Sequence, residues 1–231
     1  MKQYFLGIEF GSTRIKAVLL DEKHAIVKSG DYTWKSSLEN GVWTYHMEDV
    51  QEGLRTAIRN LGELPGKISA MGVSGMMHGY LAFDKDWNLL APFRTWQNTM
   101  TGEAADKLTE AFGFNIPQRW SAAHLYQAVL NGEPHVKNIA HVTTLAGYVH
   151  YLLTGENVLG VGEASGMFPI DSETLTYDAA MLDKFDALMA KYGFDWNIRA
   201  VLPEVRTAGQ SAGLLTPSGS EYLGGLLPAG I

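Results

Sequence analysis

The first hundred residues carry short apolar runs that predict strands, interrupted by one helical pattern. Three β-prone runs separated by turns predict strands over residues 4–10, 15–20 and 25–34. From residue 47 to Leu61 the apolar residues follow helical spacing, and Gly62 suits the helix end. Two further strands are predicted on either side of a glycine-bounded loop, at 67–73 and 80–83. This order predicts a mixed sheet with helices packed on it.

After Trp96 the pattern becomes mainly helical. Glycine or asparagine marks the predicted end of each helix, and the four predicted helices cover residues 101–111, 121–130, 145–153 and 178–192. The stretch 208–231 is rich in glycine, serine and proline and adds no further element. We therefore expect the natural protein to continue beyond residue 231.

The composition is that of an ordinary globular protein. Of 231 residues, 46% are hydrophobic and 19% charged, which excludes a disordered chain and a coiled coil. The net charge of −7, without a basic cluster, argues against nucleic-acid and anionic-membrane partners. The chain has no cysteine, signal peptide or apolar run of about 20 residues, so we expect a cytoplasmic location.

The most informative motif is GIEFGSTRIK at residues 7–16, between the first two predicted strands. A hairpin bent at Gly11 turns backbone N–H groups into one concavity. The hydroxyls of Ser12 and Thr13 and the charge of Lys16 add to it, which suits a phosphate group. Glu9, at the strand end, can hold Mg²⁺ directly or through water. The alternative is an ordinary solvated turn, since Gly-Ser-Thr turns are common.

Two later segments are candidates for a sugar site. In GVSGMMHGY, a strand runs into a loop that presents His78, beside Met77, to a small polar ligand. In FRTWQN, the ring of Trp96 is followed by amides, a combination that suits the C–H face and the hydroxyls of a sugar. The alternatives are a structural loop histidine and a core tryptophan.

Other candidates are weaker. The histidines at 124, 135, 141 and 150 do not show the paired spacing of metal ligands. Glu163 lies in a stretch of small residues, which indicates tight packing rather than catalysis. Ser74-Gly75 lacks the sharp strand-to-helix turn that exposes a hydrolase nucleophile, which argues against a serine hydrolase.

These motifs together resemble the N-terminal domain of the FGGY carbohydrate kinases. The similarity spans almost all of residues 1–231, includes the blocks LLTGE and EASGM, and is nearest to the xylulokinases at Met-His-Gly. The resemblance implies an α/β fold of the actin-like ATPase, or ribonuclease H-like, type with a mixed sheet flanked by helices. It also implies ATP-dependent phosphorylation of a sugar, a ketopentose such as xylulose, with ATP and Mg²⁺ as cofactors.

The resemblance implies a role for each candidate residue. Four residues of the first hairpin would bind the ATP phosphates: Gly11, Ser12, Thr13 and Lys16. Four others would line the sugar pocket: Met77, His78, Trp96 and Arg119. Glu9 would lie near Mg²⁺, where the family usually has the shorter aspartate. His124 replaces a frequent lysine of the family, and WQN replaces Trp-x-Asp.

In this family the catalytic base and most of the adenine pocket belong to a second domain. No glycine-rich Gly-Asp block that matches the family's base motif occurs in the sequence, so we expect no catalytic base here and expect the C-terminal domain as a partner. A homodimer is also compatible with the resemblance. Two alternatives stay open: a catalytically inactive sugar-binding or interaction module, and a nuclease of related topology, whose several carboxylates we cannot place beyond Glu9.

Overall fold

The computed structural model describes residues 2–231 as strands and helices that follow the predicted order. The strands are β1 (Gln3–Phe10), β2 (Arg14–Leu20), β3 (Ile26–Thr33), β4 (Ser37–Glu39), β5 (Val42–Thr44), β6 (Lys67–Gly75), β7 (Leu81–Phe83), β8 (His141–Thr143), β9 (Val158–Gly160) and β10 (Glu204–Arg206). The helices are α1 (Met47–Arg59), α2 (Gly102–Phe112), α3 (Ser121–Leu130), α4 (Leu145–Thr154), α5 (Val161–Ala164), α6 (Ala179–Met189), α7 (Ile198–Val201) and α8 (Pro217–Tyr222). Two 3₁₀ turns span Pro134–Asn138 and Ala190–Tyr192.

The main sheet has four strands in the order β3-β2-β1-β6. β1 pairs with β2 in the antiparallel sense and with β6 in the parallel sense, which confirms the predicted mixed sheet. Three further pairs of short strands lie outside it, namely β4 with β5, β7 with β8, and β9 with β10. Within residues 2–231, no helix is both long and apolar enough to cross a bilayer.

One face of the main sheet is buried and the other is largely open. Side chains of β1 and β2 alternate, so that Ile8, Phe10 and Ile15 lie in the core while Glu9 and Lys16 are exposed. Helix α1 covers the buried face with Val50, Leu54, Ala57 and Ile58 at helical spacing. A second core gathers side chains of α2, α3 and α6 around Tyr80 and Phe168.

Some predictions were wrong. Helix α8 lies within the stretch 208–231, where no further element was predicted. β6 continues through Ser74 and Gly75, so the predicted loop 74–79 loses its first two residues to the sheet. The hairpin of β4 and β5 was not predicted, although Asn40-Gly41 at its tip is a strong turn signal and both residues have positive φ. Strands of three residues, such as β8, β9 and β10, are too short to show alternation.

The close approach of α1 to the sheet requires a glycine at position 30. A Cβ atom there would overlap the carbonyl oxygen of Ala57 on α1. We expect Gly30→Ala to lower the free energy of unfolding by about 1–3 kcal/mol, because strand and helix must separate. Urea unfolding of Gly72→Ala is the matched control, since a Cβ atom at Gly72 in β6 meets nothing within 4 Å. Equal stability of the two variants would contradict this packing.

Candidate functional site

The hairpin between β1 and β2 presents unpaired hydrogen-bond donors to solvent. The amide of Gly11 donates to the carbonyl of Arg14 at 2.9 Å and closes the turn, while Ser12 and Thr13 are exposed at its tip. In the described structure, neither the backbone N–H groups nor the hydroxyls of Ser12 and Thr13 donate to protein acceptors. The tip therefore offers four donors to an anion.

Glu9 and Lys16 lie side by side on the exposed face of the sheet. They are direct cross-strand partners, and Lys16 Nζ lies 3.3 Å from Glu9 Oε2. Both side chains are about half exposed, so the pair contributes little to stability. The pair instead fixes the position of one ammonium group and one carboxylate beside the hairpin tip.

The side chains at the hairpin can supply only part of the ligand shell of Mg²⁺. Within residues 2–231, no group of three His, Asp or Glu side chains converges as a metal site. Mg²⁺ in phosphate-transfer sites commonly takes one or two carboxylates and completes its shell with phosphate oxygens and water. Glu9 fits as one such ligand, provided that its carboxylate is shared with Lys16 or released from it.

The loop after β6 is held by hydrogen bonds that fix the orientation of His78. His78 and Gly79 have φ angles of +72° and +90°, and a Cβ atom at Gly79 would lie 2.7 Å from the carbonyl oxygen of Arg94. The Gly79 amide donates to the carbonyl of Arg119 at 3.1 Å, and the Ser121 hydroxyl donates to the carbonyl of Gly79 at 2.6 Å. The loop is thus anchored on both sides of the Gly79 Cα atom, through two successive peptide units.

The hydrogen bond of His78 decides its tautomer. Nδ1 lies 3.1 Å from the carbonyl oxygen of Gly166, and because a carbonyl can only accept, Nδ1 carries the proton. Burial lowers the pKa of His78 below 6.5, the Gly166 bond opposes this shift, and the Arg119 charge adds to it. At neutral pH the ring is therefore uncharged and Nε2 is a hydrogen-bond acceptor.

The other predicted sugar residues lie on segments joined to this loop. Tyr80 and Arg94 exchange backbone hydrogen bonds of 2.8 and 3.1 Å, which ties the segment of Trp96 to that of His78. Trp96 and Met77 are 42% and 39% exposed, so Trp96 is not a core residue, and the core alternative was wrong. Arg119 is exposed and connects to the loop through its backbone.

A buried polar network that sequence reasoning missed lies behind the loop. The Arg94 guanidinium pairs with Glu133 and lies 5.4 Å from the ring centre of Tyr80, whose hydroxyl lies 2.8 Å from His135 Nε2. The ring of His124 lies nearly parallel to that of Tyr80, with ring centres 6.3 Å apart. Burial, followed by the Arg94 charge, lowers the pKa of His124 to about 3, so this histidine is neutral. Nothing in the local sequence marked Arg94 or Glu133 as partners, because they are distant along the chain.

The small-residue stretch around Glu163 packs directly on the loop that carries Met77 and His78. A Cβ atom at Gly166 would lie 2.6 Å from His78 Nδ1 and 3.1 Å from the terminal methyl of Met77, which confirms the predicted tight packing. Glu163 itself lines a cavity of about 450 Å³ beside the end of β6, together with Ser74. Burial raises the pKa of its carboxyl group, and its Oε1 has no partner among the described residues.

The carboxyl ends of β1 and β6 bring the two candidate sites to one edge. Phe10 is paired with Gly75 in the parallel register, and the Met76 amide donates to the carbonyl of Phe10 at 2.8 Å. The hairpin tip follows Phe10 at once, and the sugar loop follows Gly75 at once. The two candidate ligand-binding loops therefore leave the sheet at neighbouring points.

The tautomer of His78 is directly measurable. We expect ¹⁵N chemical shifts of its ring to show a protonated Nδ1 and a bare Nε2, with a titration midpoint below 6.5, because burial disfavours the charged ring. The measurement is a pH titration of the histidine ring signals by NMR. A ring protonated at Nε2, or a midpoint above 6.5, would contradict the described loop.

The sequence of this chain matches a known protein family. A model described as the FGGY family of carbohydrate kinases, N-terminal domain, matches residues 4–229. The glycerol kinase of Thermococcus gammatolerans is 25% identical over an alignment of 245 positions. The alignment covers 99% of this chain and 47% of that protein.

Solved structures share the fold. The xylulose kinase of Rhodospirillum rubrum superposes with a TM-score of 0.81 at 22% identity, over 98% of this chain and 48% of that one. The Plasmodium falciparum glycerol kinase, solved with ADP, gives a TM-score of 0.74 at 17% identity, over 96% and 46%. The chain thus spans about half the length of these proteins, and the predicted actin-like α/β fold class is confirmed. This chain belongs to the FGGY family of carbohydrate kinases.

Proposed function

We propose that this chain binds a sugar and the phosphates of ATP, and supports phosphoryl transfer from ATP to a sugar hydroxyl. The observation that carries this proposal is the parallel register of β1 and β6, which starts the donor-rich hairpin and the His78 loop from the same edge. Phosphoryl transfer needs little more from a protein than such positioning, together with charge neutralisation.

The hairpin tip is the proposed phosphate site. The amides and hydroxyls of Ser12 and Thr13 donate to phosphate oxygens, Gly11 allows the tight bend, and Lys16 supplies positive charge. Glu9 would hold Mg²⁺, directly or through water, and the ion would neutralise phosphate charge when bound. The related glycerol kinase solved with ADP supports an adenine nucleotide as the donor.

The His78 loop is the proposed sugar site. His78 Nε2 accepts a hydrogen bond from a sugar hydroxyl, while Met77 and Trp96 cover apolar faces and Arg119 adds donors at the rim. A ketopentose such as xylulose is the proposed acceptor. The Met-His-Gly motif and the structural likeness to a xylulose kinase support it, whereas glycerol kinases among the relatives argue for a wider panel.

We place the catalytic base outside residues 1–231, in a C-terminal domain that would close over this edge. The relatives are about twice as long as this chain, and we propose that this chain acts as one half of such a kinase. The competing hypothesis is a sugar-binding module without transfer activity. A panel assay with ATP and ketoses, aldoses, polyols and sugar acids decides between them, because only a kinase yields ADP in step with a phosphorylated sugar.

Lys16→Ala tests the phosphate site in the two-domain kinase. We expect kcat to fall by on the order of 10²-fold with a smaller change in the KM for sugar, because charge on the phosphate oxygens redistributes in the transition state. Steady-state kinetics of Lys85→Ala is the matched control, since Lys85 is an exposed lysine paired only with its neighbour Asp86. An unchanged kcat in Lys16→Ala would remove Lys16 from the site.

His78→Ala tests the sugar site. We expect the KM for sugar to rise roughly 5- to 150-fold, because a sugar hydroxyl loses its acceptor in a closed cleft. The KM for ATP should barely change, since the phosphate hairpin lies on a different loop. Thermal stability is measured on the same variant. Equal weakening of both ligands with a lower Tm would show that His78 is structural.

A further inference from the structure

The inner side of the phosphate hairpin is held by two aromatic residues. The indole Nε1–H of Trp34 donates to the carbonyl of Gly11 at 2.7 Å, and the hydroxyl of Tyr45 donates to the carbonyl of Ser12 at 2.7 Å. The backbone amide of Trp34 also donates to the carbonyl of Thr13 at 3.1 Å. Three consecutive carbonyl groups of the hairpin are therefore engaged by Trp34 and Tyr45.

These bonds fix where the neighbouring N–H groups point. In a trans peptide unit, the carbonyl of one residue and the N–H of the next point in opposite directions. All peptide bonds between the described residues are trans. When the carbonyls of Gly11 and Ser12 point at the buried aromatic side chains, the N–H groups of Ser12 and Thr13 must point away from them, toward solvent.

The two aromatic residues are rigidly placed. Trp34 and Tyr45 are buried, and their ring centres lie 4.2 Å apart. Trp34 also meets Phe10 edge-on at 6.1 Å, and Tyr45 lies 6.3 Å from Phe93. They come from different elements, since Trp34 follows β3 and Tyr45 follows β5. A polar atom at the end of a packed ring is a precise anchor, because the ring has few rotamers to choose from.

We propose that Trp34 and Tyr45 form an aromatic brace that positions the phosphate site: by holding the carbonyls of Gly11 and Ser12 inward, they present the N–H groups of Ser12 and Thr13 to a phosphate. The brace does not touch the ligand. This proposal rests on the proposed function, because it explains how the hairpin that would bind phosphate is held in a binding conformation.

Burial of the brace supports its role as a donor. Burial raises the pKa of Tyr45 above its ordinary value, so the phenol keeps its proton at neutral pH. The indole N–H of Trp34 can only donate. Both anchors are thus permanent donors aimed at carbonyls, and a buried carbonyl that loses its donor costs free energy. Rotation of the two peptide units that follow Gly11 and Ser12 would break these hydrogen bonds and is therefore disfavoured.

The brace predicts a specific loss of anion affinity in conservative variants. Tyr45→Phe removes one hydroxyl, and Trp34→Phe removes the indole N–H, and each keeps an aromatic ring in the core. Trp196→Phe is the matched control, because Trp196 Nε1 donates to the carbonyl of Val136 at 2.7 Å in another part of the fold. It loses the same kind of bond without touching the hairpin.

The experiment is an NMR titration of the 231-residue chain with tripolyphosphate. In the unmodified chain, we expect the amide signals of Ser12 and Thr13 to move on titration. In Tyr45→Phe and in Trp34→Phe, we expect the dissociation constant to rise roughly two- to tenfold, as one anchoring hydrogen bond is lost. Trp196→Phe should bind as the unmodified chain does, whatever its change in Tm.

Two results would overturn the proposal, and they differ in what else they overturn. If the Ser12 and Thr13 signals respond to tripolyphosphate with the same affinity in Tyr45→Phe and Trp34→Phe as in the unmodified chain, the brace does not position the site, although the hairpin still binds phosphate. If these signals do not respond even in the unmodified chain, the phosphate assignment of the hairpin fails and the brace with it. If Trp34→Phe does not fold, the affinity of Tyr45→Phe for tripolyphosphate alone tests the proposal.

Discussion

The parallel pairing of β1 with β6 determines the geometry of both candidate sites. β1 is bonded on both edges, so its register with β2 and with β6 cannot drift independently. A slip of one residue would turn Glu9 into the core and Phe10 into solvent, because side chains alternate along a strand. The burial of Phe10 against the other core side chains therefore also places Glu9 beside Lys16 on the open face.

Both ligand loops leave this edge as strained or exposed turns, and both are held from behind by buried aromatic residues. Trp34 and Tyr45 hold the carbonyls of the phosphate hairpin. Tyr80 follows the His78 loop, exchanges backbone hydrogen bonds with Arg94, and packs against both the Arg94 guanidinium and the His124 ring. A buried ion pair such as Arg94 with Glu133 adds little net stability but strongly disfavours any arrangement that separates the partners. Buried contacts thus support both candidate loops from the core side.

The sequence predicted well those features that depend on local pattern. The meander, α1 and the helices of the second half follow from apolar periodicity and glycine stops, and the hairpin and His78 loop follow from short motifs. The rest depends on long-range contacts. The tautomer of His78 is set by Gly166, 88 positions away. The Arg94–Glu133 pair and the Tyr45–Ser12 bond join residues 39 and 33 positions apart, and no local pattern marks them.

The central claim is that one sheet edge holds phosphate on the hairpin and sugar on the His78 loop. The most direct measurement is a crystal structure of the proposed two-domain protein with D-xylulose and a non-hydrolysable ATP analogue. The account predicts a sugar hydroxyl within hydrogen-bond distance of His78 Nε2, and phosphate oxygens accepting from the N–H groups of Ser12 and Thr13. A sugar bound away from His78, or phosphates bound away from the hairpin, would contradict it.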